Sequence, residues 1–164
     1  MTYNYSFQRF DPTTMARGCA INTRISLKKS VEVSRAIKGM RVSRAKEYLQ
    51  DVMAQKQVVE YKRFNQEMPH KRGKGIMAGG FPVNVAEQFF KVLHNCEQNA
   101  QNLNLGEAED LRIVSASVRQ GAGRYKMSRL SGRKMKATHI EIIVTQDTKK
   151  KHTKKTKQSG GNTQ

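Results

Sequence analysis

The stretch DLRIVSASVRQGAGRYKMSRLSGRKMKATHIEIIVT, residues 110–145, decides how the chain is arranged. Its ends are apolar and β-branched, and its middle is basic. "DLRIVSASV" reads as a strand with Leu111 and Ile113 on one face and Val114, Ala116 and Val118 on the other. "THIEIIVT" is its natural antiparallel partner, with Ile140, Ile142 and Val144 set against Glu141 and Thr145. Between them Arg119, Arg124, Lys126, Arg129, Arg133, Lys134 and Lys136 crowd eighteen residues that contain no acid. At about 3.3 Å per residue, that segment doubled back on itself reaches roughly 30 Å beyond the body. Gly121, Gly123 and Gly132 permit bends or a tight tip. The expectation is a hairpin extension over 119–137 with its tip at Leu130, Ser131, Gly132 and Arg133.

Before this unit the sequence changes period. "AEQFFKVLHNCEQNA" places Ala86, Phe89, Phe90, Leu93, Cys96, Ala100 and, just beyond, Leu103 on one helical stripe, with Glu87 and Lys91 able to pair on the wet side. Pro82 suits a first turn, Asn84 with Glu87 resembles a capping box, and Gly106 ends the helix. Ser43 is placed to cap an earlier helix whose buried face is Ala45, Tyr48, Leu49, Val52 and Met53. A shorter helix runs from Ser30 through Val33, Ala36, Ile37 and Met40, with Gly39 as its stop. "AINTRISL" alternates as a half-buried strand carrying Ile21 and Ile25, and residues 1–19 lack a period and read as an extended arm. Residues 57–81 gain Gly and Pro and lose periodicity. They form a long basic loop, a length that in a small domain marks a binding segment or disorder. The fold class is therefore α+β: a small antiparallel sheet on about three helices, one domain over 20–148, and a lysine-rich tail over 149–164 without an apolar face, expected to be disordered alone.

The charge singles out a partner. Thirty-one Lys and Arg against thirteen Asp and Glu give +18, and residues 119–136 and 149–157 hold thirteen of those charges. Such windows repel themselves until a polyanion threads among them and releases its counterions. The hairpin interleaves Arg with Tyr125, Met127, Leu130 and Met135, so guanidinium forks for phosphates lie beside surfaces that can rest on bases and riboses. The lysine tail supplies point charges only.

Other classes fall away. No segment approaches the roughly 20 apolar residues of a membrane span, and residues 1–20 lack a signal core, so a soluble, uncleaved protein with no membrane partner is expected. Cys19 and Cys96 are too few and too far apart for a disulfide framework, which points to a reducing compartment, and no Cys/His cluster has metal-ligand spacing. Gly121-Ala122-Gly123 lacks the third glycine of a nucleotide loop and opens no helix. His94 and Cys96 lie two apart on a helix and cannot face each other, His139 has no nucleophile beside it, and His70 and His152 lie in basic loops. No catalytic residue, metal, cofactor or small-molecule substrate is expected.

The order of elements resembles the large-subunit ribosomal protein family numbered twenty-two in bacteria and seventeen in eukaryotic naming. "AIKGMRVSRAKEYLQDVMAQKQVVEYKRFN" (36–65), "AEQFFKVLHNCEQNA" (86–100) and "HIEIIV" (139–144) carry the resemblance, and the insert 57–81 is similar to the eukaryotic and archaeal branch. It implies an α+β body on large-subunit ribosomal RNA near the mouth of the exit tunnel, with the hairpin lining the tunnel. Partners would be ribosomal RNA, neighbouring ribosomal proteins and the nascent polypeptide. The place would be cytoplasmic ribosomes, with nucleolar assembly in a eukaryote. By position the resemblance puts Arg124, Lys126, Arg129, Gly132 and Arg133 on the hairpin and tip, and Gln55, Lys56, Tyr61, Lys62, Arg63 and Asn65 on a second RNA-contacting segment. Only five residues separate Arg133 from His139, a shorter return limb than the family's, and the tail is short for a eukaryotic relative.

The expected RNA-binding set is thus Arg119, Arg124, Tyr125, Lys126, Arg129, Arg133, Lys134 and Lys136 on the hairpin, with Lys56, Lys62, Arg63, Lys71, Arg72 and Lys74 on the loop. A free-standing DNA- or chromatin-binding protein is the rival, but it would show a groove-reading helix, and the best helix here has a regular apolar stripe. A small RNA-modifying enzyme would need a base, a nucleophile or a cofactor loop.

Overall fold

The computed structural model describes residues 4–73, 75–106, 108–127 and 132–147. Lys74, Arg129, Leu130, Ser131 and the lysine tail lie outside the described residues. Strands β1 (Met15–Thr23), β4 (Leu111–Gln120) and β5 (Thr138–Gln146) form one antiparallel sheet in the order β1-β5-β4. Helices α1 (Leu27–Ile37), α2 (Val42–Met53) and α3 (Val83–Asn102) complete the body, and a two-stranded ribbon pairs β2 (Val59–Glu60) with β3 (Gly79–Gly80). The α+β reading therefore holds.

Strands β4 and β5 form the expected antiparallel pair, with one correction. Ile113 faces Val144 and Ser115 faces Ile143, so Val114 is an extra residue in a β-bulge. The bulge reverses the alternation beyond it. Leu111 and Ile113, opposite Gln146 and Val144, thereby share a face with Ala116 and Val118, opposite Ile142 and Ile140. The two faces read from simple alternation are one face, packed on the helices. Ser34 of α1 fixes this contact by donating its Oγ hydrogen to the Ala116 carbonyl at 2.6 Å.

Helix α3 packs across β1 and β5, and its apolar stripe buries Val85, Ala86, Phe89, Val92, Leu93, Cys96 and Ala100. Two residues expected on that stripe depart from it: Phe90 is only partly buried, and Leu103 is half exposed beyond the last turn. Close packing on β1 requires a glycine: a Cβ at Gly18 would stand 2.5 Å from the Cys96 Sγ and 3.3 Å from the Val92 carbonyl oxygen. Helix α2 buries Val42, Ala45, Leu49 and Val52 against α3, as its spacing requires.

The helix starts differ from the sequence expectation. Ser26, not Ser30, precedes α1, and Ser30 lies buried inside the helix with its Oγ bonded to the Ser26 carbonyl. Arg41 precedes α2, while the Ser43 amide bonds to the Ala108 carbonyl. Pro82 precedes α3, no capping box forms, and Glu87 instead pairs with Lys91 at 2.7 Å.

The first strand starts at Met15, inside the stretch read as an arm, and ends at Thr23. Ile21 is exposed, and Ile25 is buried only after the chain has turned toward α1. Glu141, expected on the wet side of β5, is 2% exposed. The earlier N-terminal residues cover that face: Ser6 donates from its amide and Oγ to Glu141 Oε2, and the Arg17 guanidinium lies 4.6 Å from both the Tyr5 and Phe10 rings.

Candidate nucleic-acid interface

Beyond Gln120 and before Thr138 the two strands continue as a narrower ribbon. Gly121 donates to the Ala137 carbonyl, Met135 to that of Arg124 and Lys126 to that of Arg133, and Tyr125 bridges Lys134. The projection is thus a hydrogen-bonded hairpin as far as the 126–133 pair. Gly132 has φ +114, a left-handed conformation that a side chain would resist at the turn. Arg124, Tyr125, Lys126, Arg133, Lys134 and Lys136 are exposed, and Met127 is 98% exposed. An apolar side chain held fully in water at the end of a cationic ribbon has no packing role in the body.

Arg119 departs from this group. Its Nε lies 3.1 Å from Glu141 Oε1, and its guanidinium also donates to the Asn4 carbonyl at 3.3 Å. The residue stands at the ribbon's root and is engaged by the covered face of the sheet.

The stretch 57–81 is not structureless. Besides the β2–β3 ribbon, the Tyr61 amide bonds to the Ala78 carbonyl, Lys71 to Met77 and Gly79 to Pro69. Its anchor is Glu32 of α1, 1% exposed, whose carboxylate accepts from the amides of Lys62 (3.2 Å), Arg63 (2.9 Å) and Phe64 (2.8 Å). This arrangement orders the very residues whose charges were expected to bind RNA. Arg63 projects outward over the Phe64 ring at 5.3 Å, and Lys62 is held at 3.1 Å by Glu60. Lys56 and Arg72 are exposed, and Lys71 lies 5.6 Å from the Phe81 ring. Tyr61, by contrast, is only 4% exposed, and burial, reinforced by the Glu32 charge, pushes its phenol up to about 12.

Hairpin and loop approach each other through residues that the sequence reading missed. Lys28 Nζ lies 5.9 Å from the Phe64 ring, and Lys28 and Lys134 line one groove between α1 and the ribbon. Arg24 shares further grooves with Lys126, Arg133 and Lys136. A signal for them exists in the sequence. Lys28 and Lys29 occupy the first turn of a helix that has no acid there, where positive charge opposes the helix dipole. Such a local conflict marks a position selected for something outside the helix.

The opposite side is neutralised. Arg44 pairs with Glu47, Lys46 with Glu97, Lys91 with Glu87 and Arg41 with Asp147. Along the ribbon from Arg124 to Lys136, by contrast, no described cation has an ion-pair partner among the described residues. Cys19 and Cys96 are both free thiols, and burial, followed by the nearness of Cys19, pushes the Cys96 thiol up to about 12. No group of three or more His, Cys, Asp or Glu side chains able to hold a metal occurs among the described residues, and no described helix is long and apolar enough to cross a membrane.

Comparison with known proteins matches these features. A family model described as ribosomal protein L22p/L17e covers residues 19–145. The chain is similar to the large ribosomal subunit protein uL22 of the archaeon Methanoculleus marisnigri, 38% identical over 138 residues, which span 80% of this chain and 90% of the relative. It is also similar to the uL22 proteins of Nitrosopumilus maritimus, at 33% identity over 87% of this chain and 96% of the relative, and of Methanococcus aeolicus, at 36% over 86% and 95%.

Proposed function

The chain belongs to the ribosomal protein L22p/L17e family, in its archaeal-type branch, and from that premise we propose that it is a structural constituent of the large ribosomal subunit that binds ribosomal RNA. It performs no chemistry of its own. The observation that carries the reading is the ribbon whose limbs, 121–126 and 133–137, are paired and carry exposed cations, with no acid in the sequence from 121 to 137.

Free in water, the ribbon's cations repel one another and no core supports them. Among RNA strands each cation replaces condensed counterions, and the released ions drive association. Arg124, Lys126, Arg133, Lys134 and Lys136 contact phosphates, while Tyr125 and Met127 rest on bases or riboses. The body contributes a rigid base, because β5 holds both ribbon limbs in register from the middle of the sheet. Arg63, Lys71 and Arg72, on the loop ordered by Glu32, make a second line of contacts. The hairpin lines the polypeptide exit tunnel and meets the nascent chain there, and the neutralised α2–α3 side faces solvent or neighbouring ribosomal proteins. Such a protein works in cytoplasmic ribosomes.

Two measurements test this. Tagged protein should co-sediment with large subunits on sucrose gradients at moderate and at high salt. A protein that stays in the free pool, or that holds duplex DNA at salt concentrations where ribosomal RNA is released, contradicts the assignment.

A further inference from the structure

At the ribbon's root a concavity of about 300 Å³ opens between three parts of the chain. Arg24, from the β1–α1 turn, Lys29, from the first turn of α1, and Lys136, from the returning hairpin limb, all line it, and no carboxylate does. None of the three has an ion-pair partner among the described residues. Phe81 and Pro82, at the entry to α3, form an apolar wall, and Ser26 and Asn84 add short polar side chains. Lys136 and Arg24 also line the grooves that run from this point out along the ribbon. The concavity is therefore where the cationic track of the hairpin meets the body.

Three cations converging from three separate segments without an acid is an arrangement the chain cannot favour by itself, since bringing them together adds repulsion. An anion placed among them reverses that sign. The concavity is too open and too polar to enclose an apolar ligand, and its apolar wall of ring and pyrrolidine suits a ribose. Resting on the reading of the chain as an rRNA-binding protein, we propose that this concavity seats a backbone phosphodiester of one RNA strand, held jointly by Arg24, Lys29 and Lys136. It fixes the angle between hairpin and body. Lys29 then occupies an unfavourable helix-terminal position because its partner lies outside the chain. First-turn residues of α1 and α3 also line the concavity, but the cations alone define the seat.

The test is filter binding of the full-length chain to purified large-subunit ribosomal RNA across a potassium chloride series. The triple variant Arg24→Gln/Lys29→Gln/Lys136→Gln should lower the slope of log affinity against log salt by about 2–3. The ion-paired-face variant Arg44→Gln/Lys91→Gln should leave the slope as it is. On ethylated RNA, one or two phosphates whose alkylation blocks the wild type should cease to matter for the triple variant. Unchanged thermal melting shows that the body is intact. If the triple variant does not fold, Lys29→Gln alone should lower the slope by about 1. A socket variant that superimposes on wild type, while Arg124→Gln/Arg133→Gln still weakens binding, overturns the seat and leaves the rRNA-binding reading standing. A wild-type chain that shows no salt-dependent binding overturns both.

Discussion

Glu32 is the residue whose replacement tests the architecture most directly. It is a glutamate with a fully buried side chain, accepting three consecutive backbone amides from a loop thirty residues away in sequence. Its one ion-pair partner among the described residues, Arg35, is 3.8 Å away and 47% exposed. Screening at that exposure limits the pair to about 0–1 kcal/mol. The amides matter more. Glu32→Ala strands three donors, each costing about 1–3 kcal/mol when left unsatisfied. Water can reach the exposed residues Lys62 and Arg63, so the low end applies to them, and the expected loss is about 3–5 kcal/mol. Glu32→Gln keeps the volume, and its amide oxygen can still receive Arg63 and Phe64. Its NH2 group then faces the Lys62 amide, a loss of about 1.5–3 kcal/mol.

Urea denaturation reads this loss directly. With a slope of about 2 kcal/mol per molar, Glu32→Ala should lower the midpoint by roughly 1.5–2.5 M. Hydrogen exchange should show the amides of Arg63 and Phe64 losing protection before the core strands do. Binding adds an independent signature. Glu32→Gln keeps every loop cation but loosens its placement, so affinity for ribosomal RNA should fall at all salt concentrations with the slope unchanged. The reasoning fails if Glu32→Ala costs under about 1 kcal/mol with those amides still protected. It fails equally if Arg35→Gln costs as much, because the ion pair would then be the source.

Two further substitutions probe contacts across the sheet. Gly18→Ala places its methyl group against the Cys96 Sγ and the Val92 carbonyl, and should cost about 1–3 kcal/mol by overpacking. In a double-mutant cycle with Cys96→Ala, a coupling below about 0.5 kcal/mol would show that the thiol is not what the methyl meets. Glu141→Gln removes the charge that holds both Arg119 and Ser6, and should raise trypsin cleavage at Arg9 and Arg17 while changing the melting of the helical core little. Unchanged cleavage kinetics would mean that the N-terminal residues are held by the Arg17 ring contacts instead.

What was legible in the sequence is what repeats locally. Most of the stripe from Ala86 to Ala100, the face of α2 and the pairing of the two long strands follow from spacing alone, and so does the cationic run, because seven positive residues without an acid need no third dimension to be noticed. The bulge at Val114 was half visible. Apolar residues switch from odd to even positions between Ile113 and Val114, and simple alternation interprets that switch as two faces, whereas an inserted residue makes it one. The start of α2 was misplaced where a distant carbonyl, that of Ala108, takes the Ser43 amide.

The illegible part has a common physical form: a buried carboxylate that organises a remote segment. Glu32 and Glu141 look in sequence like wet-face residues on an α-helix and a β-strand. Each is buried because a polar backbone from elsewhere satisfies it, at Lys62 to Phe64 in one case and at Ser6 in the other. A charge enters the interior only with its hydrogen bonds supplied, so the loop and the N-terminal residues must be in place when the core closes. This couples the cationic surface to folding. The loop cations are positioned by a helix residue, and the ribbon root by Arg119 on Glu141. Acids are therefore withheld from the ribbon and placed at its supports: Glu47, Glu87, Glu97 and Asp147 pair with cations of the body, while Glu32 and Glu141 fix the geometry of the loop and the ribbon root.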